Sequence, residues 1–318
     1  MIINGIEILP GKNALEKIKV GDLPSGTSIN LFAHVFRSKN PGPTMLVLGG
    51  VHGDEINGVE IVRRSVKAGL FKKLNIGSVI AVPLLNIYGF INFSRDLPDG
   101  KDVNRSFPGS SRGSLASKVA FTLSKHILPL VDFGIDFHTG GRSLHNYPQL
   151  RVSPNDKKSM QLALDFNPPF IIESKMIGGS LRKECAKRGI PMVVFEGGES
   201  LRLDSFSVQE GINGIKRVMQ AKGMISESIP SQKSKLIKNS KWIRASQAGL
   251  FITYNKSGDF VQKGDVLGHV TDPYGNKETK IKSPVTGIIY GHNNIPLLNL
   301  GDALYHIGFE ATAENLDV

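Results

Sequence analysis

Short apolar segments alternate with segments of helical periodicity between residues 28 and 222. The first apolar run, residues 44–48, ends at two glycines, and apolar residues then recur at helical spacing over residues 56–66. The order repeats, with strand-like runs at residues 29–36, 78–84, 131–137, 170–173 and 192–195 and helix-like segments at residues 115–130, 180–188 and 208–221. This alternation predicts an α/β fold in which helices pack on a mostly parallel sheet.

The chain changes character after residue 222. Residues 223–241 are rich in serine and lysine, as expected of a connector. Beyond them glycine and β-branched residues dominate, and residues 263–270 resemble residues 300–307, with Gly, Asp, Leu and His in register. A short repeat within a β-rich region predicts a small barrel of two similar halves.

Two domains are therefore expected. The α/β domain covers residues 1–235, and residues 1–38 supply its N-terminal strands. An all-β, barrel-like domain covers residues 240–318.

The positive charge of the chain limits what it binds. Lysine and arginine exceed aspartate and glutamate by 39 to 28, a formal net charge of +11. This suits small anionic substrates, nucleic acid or an acidic surface. The one local basic run, residues 233–244, contains a single aromatic residue, Trp242, so the stacking platform of single-strand binders is absent. We expect an anionic small molecule and no nucleic-acid partner.

Three features bear on the compartment. The single cysteine, Cys185, cannot form an intrachain disulfide. The first residues lack the basic start and apolar stretch of a signal peptide. The longest apolar runs, near residues 45–51 and 79–85, are too short to cross a membrane. The sequence predicts a soluble cytoplasmic protein with no membrane partner, and leaves a homo-oligomer open.

A glycine-flanked His-x-x-Glu pair follows the first buried strand. His52 and Glu55 lie at the carboxyl edge of the predicted sheet, where ligands bind in open α/β folds. Imidazole nitrogen and carboxylate oxygen are ordinary zinc ligands. Taken alone, the segment fits two interpretations equally well. One is a metal site, and the other is a polar turn in which Asp54 and Glu55 favour the helix N-terminus.

A second histidine ends another buried strand. His138 follows the apolar run at residues 131–137 and is followed by Thr139 and two glycines. It is expected at the same edge of the sheet as His52. Two histidines and one glutamate would form a three-ligand set with one position left for water, the pattern of a catalytic zinc site.

Two further segments carry charged residues. Arg95 and residues 102–109 lie in a loop rich in glycine and proline, either as a solvated turn or as a binding segment in which arginine holds a carboxylate at two points. Asp102 is a candidate to orient a metal-bound imidazole. Glu196 follows the apolar run at residues 192–195, either as a strand-end charge in solvent or as a general base.

These four segments, in this order, resemble the zinc carboxypeptidase superfamily, and most closely its succinylglutamate desuccinylase and aspartoacylase branch. The similar motifs are residues 49–55, 104–109 and 136–140, and the resemblance covers roughly residues 28–222. It implies a mixed sheet flanked by helices and one zinc ion per chain, held by His52, Glu55 and His138.

The resemblance also implies roles for other positions. Glu196 matches the glutamate that activates water and then protonates the leaving amine, and Arg95 the arginine that polarises the scissile carbonyl. Asp102 matches the partner of the first zinc histidine. Residues that match substrate-binding positions are Asn104, Arg105 and, without a motif to fix its register, Arg182. The family also uses a tyrosine near the site, for which Tyr290 and Tyr305 are candidates.

The C-terminal region resembles the biotinyl/lipoyl barrel. Such carrier domains display a lysine in a hairpin, typically between methionines, and residues 271–277 lack that motif. Covalent cofactor carriage is therefore not expected. The resemblance instead implies a domain that caps the active-site cleft and favours small substrates.

The sequence thus predicts a zinc-dependent hydrolase that cleaves the amide bond of a small N-acylated amino acid with a metal-activated water. Two alternatives stay open, a zinc carboxypeptidase acting on peptides and a catalytically silent metal-binding protein of the same fold. The sequence does not identify the acyl group or the amine, and ligand type alone leaves room for another divalent metal.

Overall fold

The computed structural model describes residues 1–309, and residues 310–318 lie outside the described part. Its helices are α1 (Ile56–Lys67), α2 (Ile87–Ile91), α3 (Leu115–His126), α4 (Lys157–Phe166), α5 (Leu181–Lys187) and α6 (Ser205–Ala221), with 3-10 turns at Val103–Arg105 and Leu128–Leu130. The strands up to residue 199 are β1 (Ile2–Ile3), β2 (Ile6–Glu7), β3 (Asn13–Asp22), β4 (Ser28–Arg37), β5 (Thr44–Gly49), β6 (Ser78–Val82), β7 (Phe133–Gly140), β8 (Leu144–Val152), β9 (Phe170–Glu173) and β10 (Met192–Glu199). The later strands are β11 (Lys235–Ile237), β12 (Asn239–Arg244), β13 (Gly249–Thr253), β14 (Phe260–Val261), β15 (Val266–Thr271), β16 (Glu278–Lys282), β17 (Gly287–Asn293), β18 (Leu297–Leu298) and β19 (Ala303–Phe309).

The centre of the main sheet is parallel. Strands β6, β5, β7 and β10 lie side by side in that order and run in the same direction. Antiparallel strands extend both edges, β4 and β3 beyond β6 and β8 beyond β10. The mixed sheet expected from the family resemblance is confirmed, and the mostly parallel arrangement expected from the alternation is confined to its centre.

Strand β8 joins the two parts of the chain. Its first residues pair with β17, where Gly291 lies opposite Asn146, and its last residues pair with β9. Strands β19 and β12 then continue from β17, so C-terminal strands extend the main sheet. The connector expected over residues 223–241 contains β11, which pairs with β9, and the start of β12.

Both faces of the central strands are buried. Along β5, Leu46 and Leu48 pack into a core with α3, whereas Met45 and Val47 pack into a second core with α1 and α6. Side chains alternate across a strand, so a sheet covered on both faces needs apolar residues at every position. This explains the continuous apolar run that ends at the glycines.

The turn after β5 requires glycine at two positions. Gly50 has a φ of +62°, in the left-handed region that glycine adopts without steric cost. A Cβ on Gly53 would lie 1.9 Å from the carbonyl carbon of Gly89, so only glycine fits where these segments cross. The turn therefore brings the chain sharply from the strand end to α1.

Strands β13, β15, β16 and β18 form a second sheet of four strands, which shares a core with β12 and β19. The sequence repeat has a structural counterpart. The backbone N–H of Gln262 donates to Asp265 and that of Asn299 to Asp302, both at 2.7 Å, in turns that precede β15 and β19. No helix within residues 1–309 is long and apolar enough to span a membrane.

Candidate active site

Three buried side chains converge where β5 and β7 end. His52 Nδ1 lies 2.6 Å from Glu55 Oε1, His138 Nδ1 lies 2.7 Å from Glu55 Oε2, and the two Nδ1 atoms are 3.1 Å apart. The side chains of all three residues are at most 4% exposed. The parallel pairing of β5 with β7 sets Gly49 beside Phe137, which places both histidines at one edge of the sheet.

The position of the Glu55 carboxylate bears on the two interpretations of the first motif. Glu55 occupies the N-cap position of α1, yet its side chain makes no capping hydrogen bond. Its carboxylate instead lies between His52 and His138 and accepts the backbone N–H of Thr139 at 3.2 Å. Glu55 therefore does not cap α1 with its side chain, and its carboxylate faces the two histidines as the metal-site interpretation requires.

Each histidine presents its other ring nitrogen to a carboxylate. Asp136 Oδ2 lies 2.8 Å from His138 Nε2, and Asp102 Oδ1 lies 3.3 Å from His52 Nε2. Burial alone would lower the pKa of His138, but Asp136 and Glu55 outweigh it and raise the pKa well above its ordinary value. When a metal ion takes Nδ1 of His138, the proton that stays on Nε2 has the Asp136 carboxylate as its acceptor at 2.8 Å.

This donor set fits a divalent metal ion. One ligand atom from each of His52, Glu55 and His138 lies within 4.8 Å of the others. Electron-pair donors held this close repel one another unless a proton or a cation lies between them, and a metal ion is one such cation. Two imidazole nitrogens and one carboxylate are the ligands of a catalytic zinc site with an open position.

Arg95 lies against this cluster. Its Nη1 is 3.1 Å from both His52 Nδ1 and Glu55 Oε1, and its Nη2 donates to Asp102 Oδ2 at 2.8 Å. Burial would raise the pKa of the Asp102 carboxyl, yet His52 and Arg95 hold it well below its usual range. Asp102 therefore links the arginine to the first histidine.

The Asn104–Arg105 segment forms one wall of the cavity. Asp102 Oδ1 accepts the backbone N–H of Asn104 at 2.7 Å and so starts the short 3-10 turn. Asn104 Oδ1 accepts the N–H of Leu181 at 2.9 Å, which leaves the amide Nδ2 as its donor group. Arg105 is 43% exposed, so its guanidinium can reach a ligand that enters from solvent.

Glu196 lies beside His138. The parallel pairing of β10 with β7 aligns these two residues, so their side chains leave the sheet at the same level. Glu196 Oε2 accepts from Asn146 Nδ2 at 3.0 Å, and Oε1 lies 3.5 Å from Arg151 Nε. Because Glu196 is 12% exposed and held on two sides, it is not the solvated strand-end charge that the sequence allowed.

Arg182 also lines this cavity. The residue is 8% exposed, and its guanidinium donates to Ser174 Oγ at 3.0 Å and to Lys175 O at 2.8 Å. Burial, and then the charge of Arg151, lower the pKa of Arg182 to about 10. Within residues 1–309 the structure pairs Arg182 with neutral oxygens and with no carboxylate, so its charge remains available to an anionic ligand.

The two tyrosine candidates are not in the cavity wall. Tyr290 is buried and its hydroxyl lies 2.6 Å from His306 Nε2, and the hydroxyl of Tyr305 donates to Leu267 O at 2.6 Å. Tyr305 packs in the core of the C-terminal region, and Tyr290 packs against Phe170 and Ile172 of β9. The aromatic residue that this region does bring to the cavity is Trp242.

Sequence reasoning missed four residues of the site, namely Asp136, Asn146, Arg151 and Trp242. Asp136 had a detectable signal, since residues two apart on a strand share a face and Asp136 precedes His138 by two. Asn146 and Arg151 lie on β8, whose polar residues and Pro148 conceal a strand. The place of Trp242 in the site follows only from the packing of the C-terminal strands, which the sequence does not reveal.

A cavity of about 300 Å³ contains these groups. Its charged and ligand-type lining residues are His52, Glu55, Arg95, Arg105, His138, Arg151, Arg182 and Glu196. Four arginines against two glutamates make the cavity attractive to anions, and its volume suits a small molecule. Every site residue expected from the sequence except Asp102 lines it, and Asp102 lies directly behind Arg95 and His52.

Fold and site together define a class: α/β proteins with a metal-type His–Glu–His set at the carboxyl edge of a parallel sheet. Residues 41–222 match the family model of the succinylglutamate desuccinylase/aspartoacylase catalytic domain. The chain therefore belongs to the succinylglutamate desuccinylase/aspartoacylase family, a family of deacylases.

Similar proteins extend this comparison beyond the catalytic domain. N-alpha-acetyl-L-2,4-diaminobutyric acid deacetylase from Halomonas elongata is 26% identical over 283 residues, 84% of this chain and 82% of that protein. The structure of a succinylglutamate desuccinylase/aspartoacylase from Rhodobacter sphaeroides superposes with a TM-score of 0.82 at 23% identity, over 93% of this chain and 95% of that one. The product-bound ectoine utilization protein EutE from Ruegeria pomeroyi gives a TM-score of 0.82 at 24% identity, over 93% and 94% of the two chains. These structures share the whole fold, including the C-terminal region.

Proposed function

We propose that this protein is a zinc-dependent deacylase that hydrolyses the amide bond of a small N-acylated amino acid. The observation that carries the proposal is the convergence of His52, Glu55 and His138 in a small cavity that Glu196 and four arginines also line. Family membership supports amide hydrolysis, and the Halomonas elongata relative, named for an N-acetylated amino acid, supports the substrate class.

His52, Glu55 and His138 would hold the zinc ion, with Asp102 and Asp136 fixing the proton on the far nitrogen of each histidine. When bound, zinc supplies a Lewis acid and lowers the pKa of a water molecule. The remaining chemistry belongs to side chains of this chain.

Glu196 is the proposed general base and acid. Its carboxylate accepts a proton from the attacking water and then delivers it to the amide nitrogen, so that the C–N bond breaks and the amine leaves neutral. Asn146 and Arg151 hold this carboxylate at 3.0 and 3.5 Å on the cavity side of β10. A fixed base needs less reorganisation during the reaction.

Arg95 is the proposed stabiliser of the oxyanion. Negative charge develops on the carbonyl oxygen as water adds, and a preformed donor at that point contributes about 3–4 kcal/mol in comparable enzymes. Arg95 is held for this role by Asp102 and by its carbonyl oxygen, which accepts from Asn86 Nδ2 at 3.2 Å.

The substrate-binding residues are proposed to be Asn104, Arg105 and Arg182. Arg105 is exposed enough to capture a carboxylate, and Arg182 carries a buried charge paired with neutral oxygens. The cavity of about 300 Å³ favours a small amide over a peptide, which weakens the carboxypeptidase alternative. We further propose that residues 240–318 act as a domain that caps this cavity, since Trp242 reaches it.

The test is hydrolysis of N-acetyl and N-succinyl amino acids, followed by the release of free amine. We expect the wild type to turn over at least one of them and Glu196→Gln to lose almost all activity. Glu227→Gln, a change to a surface carboxylate that is 58% exposed, is the matched control and should retain activity. Activity on peptides alone would favour a carboxypeptidase instead.

Metal dependence is tested by elemental analysis of the purified protein. We expect about one zinc per chain, as one three-ligand set holds one ion, and loss of that zinc in His138→Ala. His126→Ala, at the end of α3 and away from the site, should keep it. A wild type that neither contains nor takes up zinc would contradict the proposed zinc-dependent mechanism. A cytoplasmic location, a homo-oligomer and the absence of a nucleic-acid partner remain predictions.

A further inference from the structure

Trp242 is the point at which the C-terminal region reaches the active-site cavity. It lies on β12 and lines the same cavity as His52, Glu196 and Arg182. The chain contains one tryptophan. No motif of the catalytic domain predicts a residue at this place, because β12 begins at Asn239 and the strand that carries Glu196 ends at Glu199.

The indole is held in place from behind. Trp242 lies opposite His306 in the β12–β19 pairing, and the two rings stack with centroids 3.9 Å apart and an interplanar angle of 18°. His306 Nε2 is in turn 2.6 Å from the hydroxyl of Tyr290 and 3.0 Å from Ser240 Oγ. Since Tyr290 is 1% exposed, the stack is anchored in a core.

This wall of the cavity carries no charge at neutral pH. Burial, and then the charge of Arg151, lower the pKa of His306 to about 3, so its imidazole is neutral. The hydroxyl of Tyr290 keeps its proton because burial raises its pKa to about 12. The stack therefore presents a flat apolar surface beside groups that are mostly charged.

The other residues that line the cavity indicate which part of a ligand would contact the Trp242 indole. Carboxylate and carbonyl groups of a ligand have arginine partners at Arg95, Arg105 and Arg182. The hydrocarbon part of an acylated amino acid has only small aliphatic partners elsewhere in the cavity, at Leu144, Ile177 and Val194. An aromatic face is the largest apolar contact available to it.

We propose that Trp242 is a specificity residue that packs its indole against the hydrocarbon part of the bound substrate. The inference rests on the proposed deacylase function and deepens it. It makes the C-terminal region a direct participant in substrate selection.

The single tryptophan allows a direct binding test. Zinc-loaded Glu196→Gln protein retains Trp242 and should bind substrate without turning it over. The probes are N-acetyl-L-2,4-diaminobutyrate, N-acetyl-L-aspartate and N-succinyl-L-glutamate, added while the tryptophan emission is recorded. For the compound that the wild type hydrolyses fastest, we expect a saturable change of intensity or wavelength.

Kinetics of Trp242 variants supply the second readout. Loss of an apolar contact that is equal in ground and transition states raises KM and leaves kcat unchanged. We expect Trp242→Ala to raise KM by about tenfold, the scale of one small apolar contact in a pocket, and Trp242→Phe to recover most of it. Tyr274→Ala, a change to an aromatic that is 84% exposed in the same region, is the matched control and should not alter KM.

The outcomes separate the two proposals. Turnover with a saturable emission change and a raised KM in Trp242→Ala supports the inference. Turnover with no emission change and an unaltered KM overturns it and leaves the deacylase function standing. A saturable emission change without turnover of any amide by the wild type supports ligand contact at Trp242 and overturns the proposed function.

Discussion

Two pairs of neighbouring histidines occupy opposite kinds of surroundings in this protein. The rings of His52 and His138 have centroids 4.8 Å apart, and those of His145 and His292 are 5.1 Å apart. In the first pair, one nitrogen of each ring faces Glu55 and the other faces an aspartate. In the second pair, the ring nitrogens are used by ordinary structural hydrogen bonds.

The second pair connects two parts of the chain. His145 Nδ1 lies 2.7 Å from the hydroxyl of Ser257, and its Nε2 lies 3.5 Å from Asp204. His292 Nδ1 accepts the backbone N–H of Ser257 at 2.9 Å. These contacts join β8 and the N-terminus of α6 to the loop before β14.

The pKa values follow from this difference. Burial opposes protonation of His52 and His138, but the neighbouring carboxylates raise the pKa of both. Burial, and then the nearby His145, lower the pKa of His292 to about 4. The first pair is thus suited to hold a cation because carboxylates face both nitrogens of each ring, a difference that spacing along the chain does not reveal.

The largest expected effect concerns the carboxylate behind the first pair. Asp136→Asn keeps the shape of the side chain but weakens its hold on His138 Nε2, and we expect zinc affinity to fall roughly 10–100-fold. The measurement is competition for zinc with a chelator. Ser257→Ala, which removes the corresponding partner of His145, should leave zinc affinity unchanged. Equal losses in both variants would contradict the contrast between the pairs.

A smaller effect is expected for Asn146 on β8, the strand that also carries His145 of the second pair. Asn146 follows His145 on β8 and donates to Glu196, so Asn146→Ala should lower kcat by roughly tenfold, the scale of one hydrogen bond to a charged group. Zinc content should not change. The exposed Asn155 provides the control variant Asn155→Ala. A raised KM with unchanged kcat would show that Asn146 binds substrate and does not position the base.

The smallest effect concerns acid stability of the second pair. His292 titrates near pH 4 when folded and near 6.5 when unfolded, so the unfolded state binds more protons between these values. Its contribution to stability is complete above pH 6.5 and is lost as the pH falls towards 4. A pKa shift of this size in a fully buried group would change the free energy of unfolding by more. Because the His292 ring is not fully shielded from solvent, we expect the free energy of unfolding to fall by about 1 kcal/mol.

Urea unfolding of the wild type and of His292→Asn between pH 7 and pH 4 measures this loss. The variant should lose less stability over that range. The charged and titratable groups around His292 are His145, Lys256 and Asp259, and they are unchanged in the variant. The same pH dependence in both proteins would contradict the assignment.

The sequence predicted the core of the fold and of the site because both are local in the chain. Apolar runs ending at glycine located β5, β7 and β10, and parallel strands put their carboxyl ends at one edge. His52, Glu55, His138 and Glu196 each follow such a run by at most a turn. Their meeting in one cavity could therefore be expected before any coordinates were known.

Apart from Asp136, the residues that escaped prediction depend on pairings between distant segments. Strand β8 has Pro148 and several polar residues, so it lacks the alternation that marks a strand. Its partners β10 and β17 lie far along the chain, and those pairings put Asn146 and Arg151 against Glu196. The position of Trp242 at the cavity also depends on a pairing between distant segments, that of β12 with β19.

The sequence by itself determined the α/β layer fold, the ligand set and the order of the charged segments, since each follows from a run of neighbouring residues. The tertiary structure decided which distant groups join the site: Asn146 and Arg151 around Glu196, and Trp242 at the wall. Burial and electrostatic contact depend on distance in space, and residues such as Asn146 and Glu196, 50 positions apart in the chain, come close only when the sheet is assembled.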